Sequence, residues 1–248
     1  AIRHSLTKMS HFHFVSTESY RKRVIQLGEI ENTVFNVGSL SIENLKEIKL
    51  LNKKQLEEEI DFSFGNKNIT VTLHPETNKV GFEKQNFQQL INALYELSDI
   101  NIIFTEPNAD PKRNIISKMI KDFVANNKDR SISFKSMGYV NYLSALQFVD
   151  GVVGNSSSGI TEAPSFKIGT VNIGNRQTGR EKAPSIIDCG FNKKNIKESI
   201  NLLFDDNFIK KLKKVKNPYE GKNPSEVIMD VLKKNNGIEL LKKEFYDL

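Results

Sequence analysis

Between residues 69 and 174 the chain alternates short β-branched runs with amphipathic stretches, and this alternation restricts the fold more than any other feature. ITVTL (69–73), NIIFT (101–105), SISFK (131–135), DGVVGN (150–155) and GTVNIG (169–174) have strand composition. The stretches between them have helical spacing. FEKQNFQQLINALYEL (82–97) places apolar residues at 87, 90, 91, 94 and 97. RNIISKMIKDFVANN (113–127) and YVNYLSALQFV (139–149) read the same way, and GITEAPSF reads as a short helix with Pro164 near its start. Alternation with short connections implies right-handed βαβ units and a mostly parallel sheet, hence an α/β fold. Such sheets bind ligands at the carboxyl ends of their strands. GTVNIG is expected to be the last strand. The remainder is expected to be helical, including KKNIKESINLLF (193–204) and SEVIMDVLKKNN (225–236).

The flanks are less regular. Residues 43–60 form a Lys/Glu-rich run with Leu45, Ile48, Leu51 and Leu56 near helical spacing. Before it come a helix-like IRHSLTKMSH and a strand-like HFHFVS (11–16). A helix, ESYRKRVIQLG, follows with Thr17 as N-cap and Gly28 as its C′ residue, and then a strand-like TVFNVG (33–38). Two short strands and two helices are too little for a separate core. Residues 1–40 therefore read as the remnant of an amino-terminal domain and linker, 41–235 as a Rossmann-like domain and 236–248 as a carboxyl-terminal helix. The chain is expected to be the back part of a longer protein.

Composition excludes several classes. With 248 residues, 38% hydrophobic and 27% charged, the chain can bury a sizeable core and is not globally disordered. It has no apolar run of the roughly 18 residues that a membrane span needs. The opening AIRHSLTKMS has no apolar core after its basic residues, so it is not expected to act as a secretion leader. The one cysteine, Cys189, excludes a disulfide framework and a Cys-rich zinc site. It reads as a buried small apolar residue, and a cytoplasmic location is expected. Net charge is +6, but the lysines sit in mixed helical runs that read as solvated faces. Nucleic acid is not expected as a partner. A small anionic ligand such as a nucleoside diphosphate suits the charge equally well.

The loops that follow the strands carry the candidate chemistry. After ITVTL comes His74-Pro75-Glu76-Thr77. Pro75 keeps residue 74 extended, and a histidine at a strand tip can donate to a phosphate or shuttle a proton. A plain surface histidine is the alternative. After NIIFT comes Glu106-Pro107-Asn108-Ala109-Asp110, and after SISFK comes Ser136-Met137-Gly138, both readable as ordinary turns. The strongest signal is Gly154-Asn155-Ser156-Ser157-Ser158-Gly159-Ile160-Thr161-Glu162, where small hydroxylic residues join a buried strand to a helix. A helix N-terminus presents unpaired N–H groups to a phosphate. Glu162, expected on the first turns of that helix, can accept from two ribose hydroxyls or merely offset the helix dipole. The loop is neither a Walker A sequence nor G-x-G-x-x-G, so ATP hydrolysis and NAD binding are not supported. After GTVNIG, Arg176 and Arg180 in NRQTGRE suit a phosphate or sugar, with a structural ion pair as the alternative. His11 and His13 share a strand face, but no third ligand is near and no metal is expected.

Taken together, IRHSLTKMSHFHFVSTESYRKRVIQLGE, the HPET turn, EPNAD, GNSSSGITEAP and NIGNRQTGRE resemble the hydrolysing UDP-N-acetylglucosamine 2-epimerases, over residues 2 to about 190. The resemblance is to the sialic-acid and legionaminic-acid pathway branch. It implies two Rossmann-like domains with a nucleotide in the cleft, the GT-B arrangement, this chain being the carboxyl domain with a remnant of the amino domain. It implies His74 as the essential histidine near the phosphates and leaving group, and Arg3 as an active-site arginine from the amino domain. Asn108 falls at a nucleotide contact, Met137 at the backbone position that pairs with uracil, and Ser156 and Ser157 at the phosphate-binding serines. Glu162 falls at the ribose-binding glutamate and Arg176 at the arginine of the sugar/phosphate loop. The implied reaction converts UDP-GlcNAc to UDP and ManNAc without cofactor or metal, by a homo-oligomer with no nucleic-acid or membrane partner. UDP-2,4-diacetamido-trideoxyglucose is an alternative substrate. A GT-B glycosyltransferase and a non-catalytic UDP-binding module are alternative functions. The family's amino-terminal acids have no match in this sequence, so turnover by this chain alone is not expected.

Overall fold

The computed structural model describes residues 1–75, 83–107, 113–235 and 243–247. The chain divides into two compact units, Ala1–Glu47 with Asn217–Leu248, and Ile48–Lys216. Among the described residues no helix is long and apolar enough to cross a membrane.

The first unit contains α1 (Ile2–Met9), β1 (His13–Val15), α2 (Glu18–Gln26), β2 (Val34–Asn36) and α3 (Leu40–Glu47), with β1 and β2 parallel. Thr17 caps α2 as expected, its hydroxyl accepting from the Tyr20 N–H at 3.3 Å. Gly28 turns the chain out of the helix with a φ of 85°. The unit's bounds differ from those expected, because residues beyond 217 return to it. The Ser39 N–H donates to the Tyr219 carbonyl at 2.9 Å, and Glu43 accepts from the Ser225 hydroxyl at 2.8 Å. The helix Pro224–Lys234 thus belongs here rather than with the larger sheet. Of the expected carboxyl-terminal helix over 236–248, residues 243–247 are not helical, and the rest lies outside the described residues.

The second unit contains α4 (Lys53–Ile60), β3 (Asn68–Thr72), α5 (Glu83–Tyr95), β4 (Asn101–Thr105), α6 (Arg113–Ala125), β5 (Ser131–Phe134) and α7 (Tyr139–Ala145). There follow β6 (Gly151–Gly154), α8 (Ser158–Thr161), β7 (Gly169–Ile173), β8 (Ile186–Cys189), α9 (Lys193–Leu202) and α10 (Asp206–Leu212). Among the described residues its sheet runs β5-β4-β3-β6-β7-β8, every pair parallel, a Rossmann-like arrangement. β3, β6 and β7 are buried along their whole length, as central strands covered on both faces must be. Phe87, Leu90, Leu94, Phe104, Ile120 and Phe123 anchor the core between α5, α6 and the sheet.

Two expectations fail locally. The run over 43–60 is not one helix. It breaks after Glu47, and Asn52 starts α4 with a reciprocal capping box to Gln55. GTVNIG is not the last strand, because β8 pairs outside it. Cys189 ends β8 and is only partly buried. Burial pushes its thiol up to about 11, the Ser199 hydroxyl partly opposing this and the Asp188 charge adding to it.

Candidate functional site

The strand order sets the position of the crevice. The chain runs outward from β3 through β4 to β5, then returns to the other side of β3 as β6 and continues to β7 and β8. At such a reversal the connections leave in opposite directions and open a crevice at the carboxyl ends of the two central strands. His74 lies just past the end of β3, and Asn155 and Ser156 just past the end of β6.

A cavity of about 360 Å³ occupies this place. Thr72 and His74 line it from the end of β3, Thr105 and Glu106 from β4, and Lys135 to Tyr139 from β5. Tyr142, Ser156 and Ser158 complete the wall. Three residues expected from the sequence, His74, Met137 and Ser156, therefore meet at one cavity. Ser157 stands beside it as N-cap of the four-residue α8. Asn108 lies outside the described residues. Arg3 is exposed on α1 in the first unit, where its carbonyl accepts from the Thr7 hydroxyl at 3.0 Å.

Glu162 is not on the first turn of a long helix. It ends α8 and precedes the 3-10 turn Ala163–Phe166, because Pro164 cannot continue an α-helix. A carboxylate at that end does not offset the N-terminal dipole. Its Oε2 accepts from the Thr161 hydroxyl at 2.6 Å. Its charge also reaches Tyr139 and Tyr142 in the cavity wall. Burial first, and then this charge, raise the Tyr139 phenol. The half-buried Tyr142 phenol is pushed up to about 12 by burial, with the Ser158 hydroxyl partly opposing and Glu162 adding. Both phenols stay neutral donors near pH 7.

The sequence marks Asn155 only as part of a turn, and the structure gives it a larger part. Its side chain is buried and spans the His74 backbone: Oδ1 accepts from the His74 N–H at 2.7 Å, and Nδ2 donates to the His74 carbonyl at 2.9 Å. The Asn155 N–H donates to the Thr72 carbonyl at 3.0 Å. The Asn155 carbonyl accepts from Arg176 Nη1 at 3.0 Å and from Gln177 Nε2 at 2.7 Å. Arg176 thus reaches the site through Asn155, by a bond to a carbonyl rather than an ion pair. An asparagine can imitate a backbone pair. Its place between a buried strand and a hydroxylic loop was the available signal. Glu106 is a second buried polar group, its Oε2 accepting from the Ser117 hydroxyl at 2.8 Å.

Chemically, the cavity sets an ammonium (Lys135), an imidazole (His74) and hydroxyls (Ser156, Ser158, Tyr142) against the Glu106 carboxylate. Such a set suits a ligand that carries both anionic and hydroxyl groups.

Residues 1–233 match the protein family described as UDP-N-acetylglucosamine 2-epimerase. The chain is 40% identical over 192 residues to the GDP/UDP-N,N'-diacetylbacillosamine 2-epimerase (hydrolyzing) of Campylobacter jejuni, covering 77% of this chain and 50% of that protein. It is 39% identical over 253 residues to the polysialic acid biosynthesis protein P7 of Escherichia coli, covering 100% of this chain and 63% of that protein. The chain therefore spans about half to under two thirds of the length of these relatives. The fold is shared with the UDP-GlcNAc 2-epimerase of Neisseria meningitidis solved with UDP-GlcNAc, at a TM-score of 0.76 and 20% identity, over 92% of this chain and 63% of that one. It is shared too with the S. aureus MnaA–UDP structure, at a TM-score of 0.75 and 18% identity, over 98% and 63%. On the match across residues 1–233, the chain belongs to the UDP-N-acetylglucosamine 2-epimerase family.

Proposed function

We propose that these 248 residues supply the UDP-binding side of a hydrolysing UDP-sugar 2-epimerase. The observation that carries this reading is the convergence of His74, Met137 and Ser156 on one cavity at the sheet's reversal point. In the reading, the diphosphate lies against Ser156, Ser157 and His74, with Arg176 beside them. The uracil lies at the Met137 backbone, and the ribose reaches Glu162. Asn108 and Arg3 complete the contacts in the whole enzyme. UDP leaves C1 as a proton leaves C2, giving a 2-acetamidoglycal. Water then adds, and the 2-epimer departs as a free sugar. The leaving diphosphate gathers charge, and preorganised donors in a partly enclosed site stabilise it without a metal. The expected substrate is UDP-GlcNAc, giving ManNAc. The names of the relatives from Campylobacter jejuni and Legionella pneumophila favour a second reading, a 2,4-diacetamido sugar nucleotide. The whole enzyme is read as a cytoplasmic homo-oligomer that works on neither nucleic acid nor membrane.

Calorimetry with UDP, uridine and pyrophosphate tests the binding step. UDP should bind the chain more tightly than either fragment, since the cavity offers partners to both ends. Equal affinity for UDP and pyrophosphate would remove the nucleoside from this site, and no UDP binding would end the reading.

A further inference from the structure

The loop after β6 holds more than the hydroxyls expected to touch a phosphate. Asn155 sits beneath them, fully removed from water. Its amide makes a donor–acceptor pair with one residue only, taking the His74 N–H at 2.7 Å and giving to the His74 carbonyl at 2.9 Å. The pairing has one polarity. Turning the amide over would set N–H against N–H and oxygen against oxygen. His74 lies two residues past the end of β3. The ladder between β3 and β6 ends at Thr72 and Gly154, so no strand pairing fixes His74. The Asn155 side chain continues that ladder one step further. Behind it, the Asn155 carbonyl is held by Gln177 Nε2 at 2.7 Å and by Arg176 Nη1 at 3.0 Å. Gln177 is itself buried. The tips of β3, β6 and the loop after β7 are thereby joined in series.

We infer that Asn155 is a positioning residue for His74, and that Gln177 acts through Asn155 to the same end. The inference rests on the reading of His74 as a group that meets the diphosphate. The backbone at 74 is the pivot for the imidazole, and the Asn155 amide holds both its N–H and its carbonyl. A displacement of the order of 1 Å at such a pivot is enough to lose a charge-assisted bond. The carbonyl bonds from Arg176 and Gln177 tie Asn155 to the loop that follows β7, where Gln177 is buried and gives the amide a fixed support.

The experiment is a double-mutant cycle on the 248-residue chain, read by UDP calorimetry. Asn155→Asp keeps an acceptor for the His74 N–H but sets a carboxylate oxygen against the His74 carbonyl. It should weaken UDP roughly tenfold, the scale of one or two lost hydrogen bonds. With His74→Ala already present, the same change should cost less than twofold. Losses that multiply in full would overturn the inference, because Asn155 would then act on the ligand by another route. A spectroscopic reading needs no ligand. The Cε1–H resonance of His74 should move in Asn155→Asp while those of His4, His11 and His13 stay in place. An unmoved His74 resonance would also overturn it. If the unsubstituted chain fails to bind UDP, the functional reading falls and the His74 resonance still decides the positioning. If the Asn155 variants do not fold, Gln177→Leu takes their place, since it leaves the amide pair intact and removes only its support. It should weaken UDP roughly threefold and shift the His74 resonance in the same sense, and no change in either would overturn the inference.

Discussion

Lys243 Nζ stands 2.6 Å from Oε2 of Glu29, a carboxylate almost wholly removed from water within the first unit. Lys8 meets the same carboxylate at 2.7 Å and His13 at 2.8 Å. Lys243 also donates to the carbonyls of Thr7, Lys8 and Ser10. The Tyr246 N–H donates to the Gly28 carbonyl at 3.0 Å. Residues 243–247 are thus fastened to α1 and to the end of α2. Burial works against the Glu29 charge, but Lys243, then Lys8 and His13, overcome it and hold the carboxyl at about 2.

The pH dependence follows from that shift. The folded carboxyl titrates below its unfolded value of about 4.3. Its contribution is therefore complete above that value and is lost as pH falls towards 2. Glu29→Gln should lower unfolding stability by about 2 kcal/mol at pH 7, less than a wholly buried pair because Lys8 can turn to water. The difference should shrink towards zero near pH 2. Denaturant titration at both pH values checks this, and an equal gap at both would show that packing, not charge, is at stake.

Gly154 sits at the end of β6 with a φ of 132°, and a Cβ there would run into the Thr72 carbonyl oxygen. Thr72 and Gly154 are register partners, so relief would require the two central strands to part. Gly154→Ala should cost about 2–4 kcal/mol. A melting temperature within a degree of the parent would contradict the close approach.

Ser156 lines the cavity at the foot of α8. Ser156→Ala should weaken UDP by about 1–2 kcal/mol, the scale of one hydrogen bond to a charged group. Calorimetry under matched salt measures this, and a change within error would place the phosphate elsewhere.

In the proposed reading Glu162 meets the ribose, so its removal should discriminate between ligands. Glu162→Gln should weaken UDP several-fold and leave pyrophosphate nearly unchanged. Equal loss for both would mean that Glu162 acts through the electrostatics of Tyr139 and Tyr142 rather than through a sugar hydroxyl.

Cys189 should be a slow thiol. Its pKa, pushed up to about 11 by burial, leaves little thiolate at neutral pH. Reaction with an aromatic disulfide at pH 7 should run at least tenfold slower than in denaturant. Rates that match would place the thiol in the open.

The sequence by itself determined the alternation, and with it the parallel sheet and the crevice at its carboxyl ends. β3, β6 and β7 are buried on both faces, so their runs are apolar, β-branched or glycine except at Asn68 and Asn172, and legible at once. Thr17 and Gly28 were legible because a cap and a C′ residue act within a few residues of themselves. His74 and Ser156 stood out by their position after strands, since parallel strands all point their carboxyl ends one way, whereas Met137 entered only through the family resemblance. The break at Asn52 was legible in principle, as Asn-x-x-Gln is a capping box, but the helical spacing of the leucines outweighed it.

Only the tertiary structure decided the rest. β8 is an edge strand, partly exposed along its four residues, and pairing on one side alone asks for no strong apolar pattern. The return of residues beyond 217 to the first unit rests on bonds such as that between Ser39 and Tyr219, far apart in sequence. The partnership of Asn155 and His74 spans 81 residues. An asparagine after a strand looks like a turn residue, because the side chain that caps a turn is the same one that completes a ladder. Which it does depends on what lies across the sheet, and that is settled only when β3 and β6 come together.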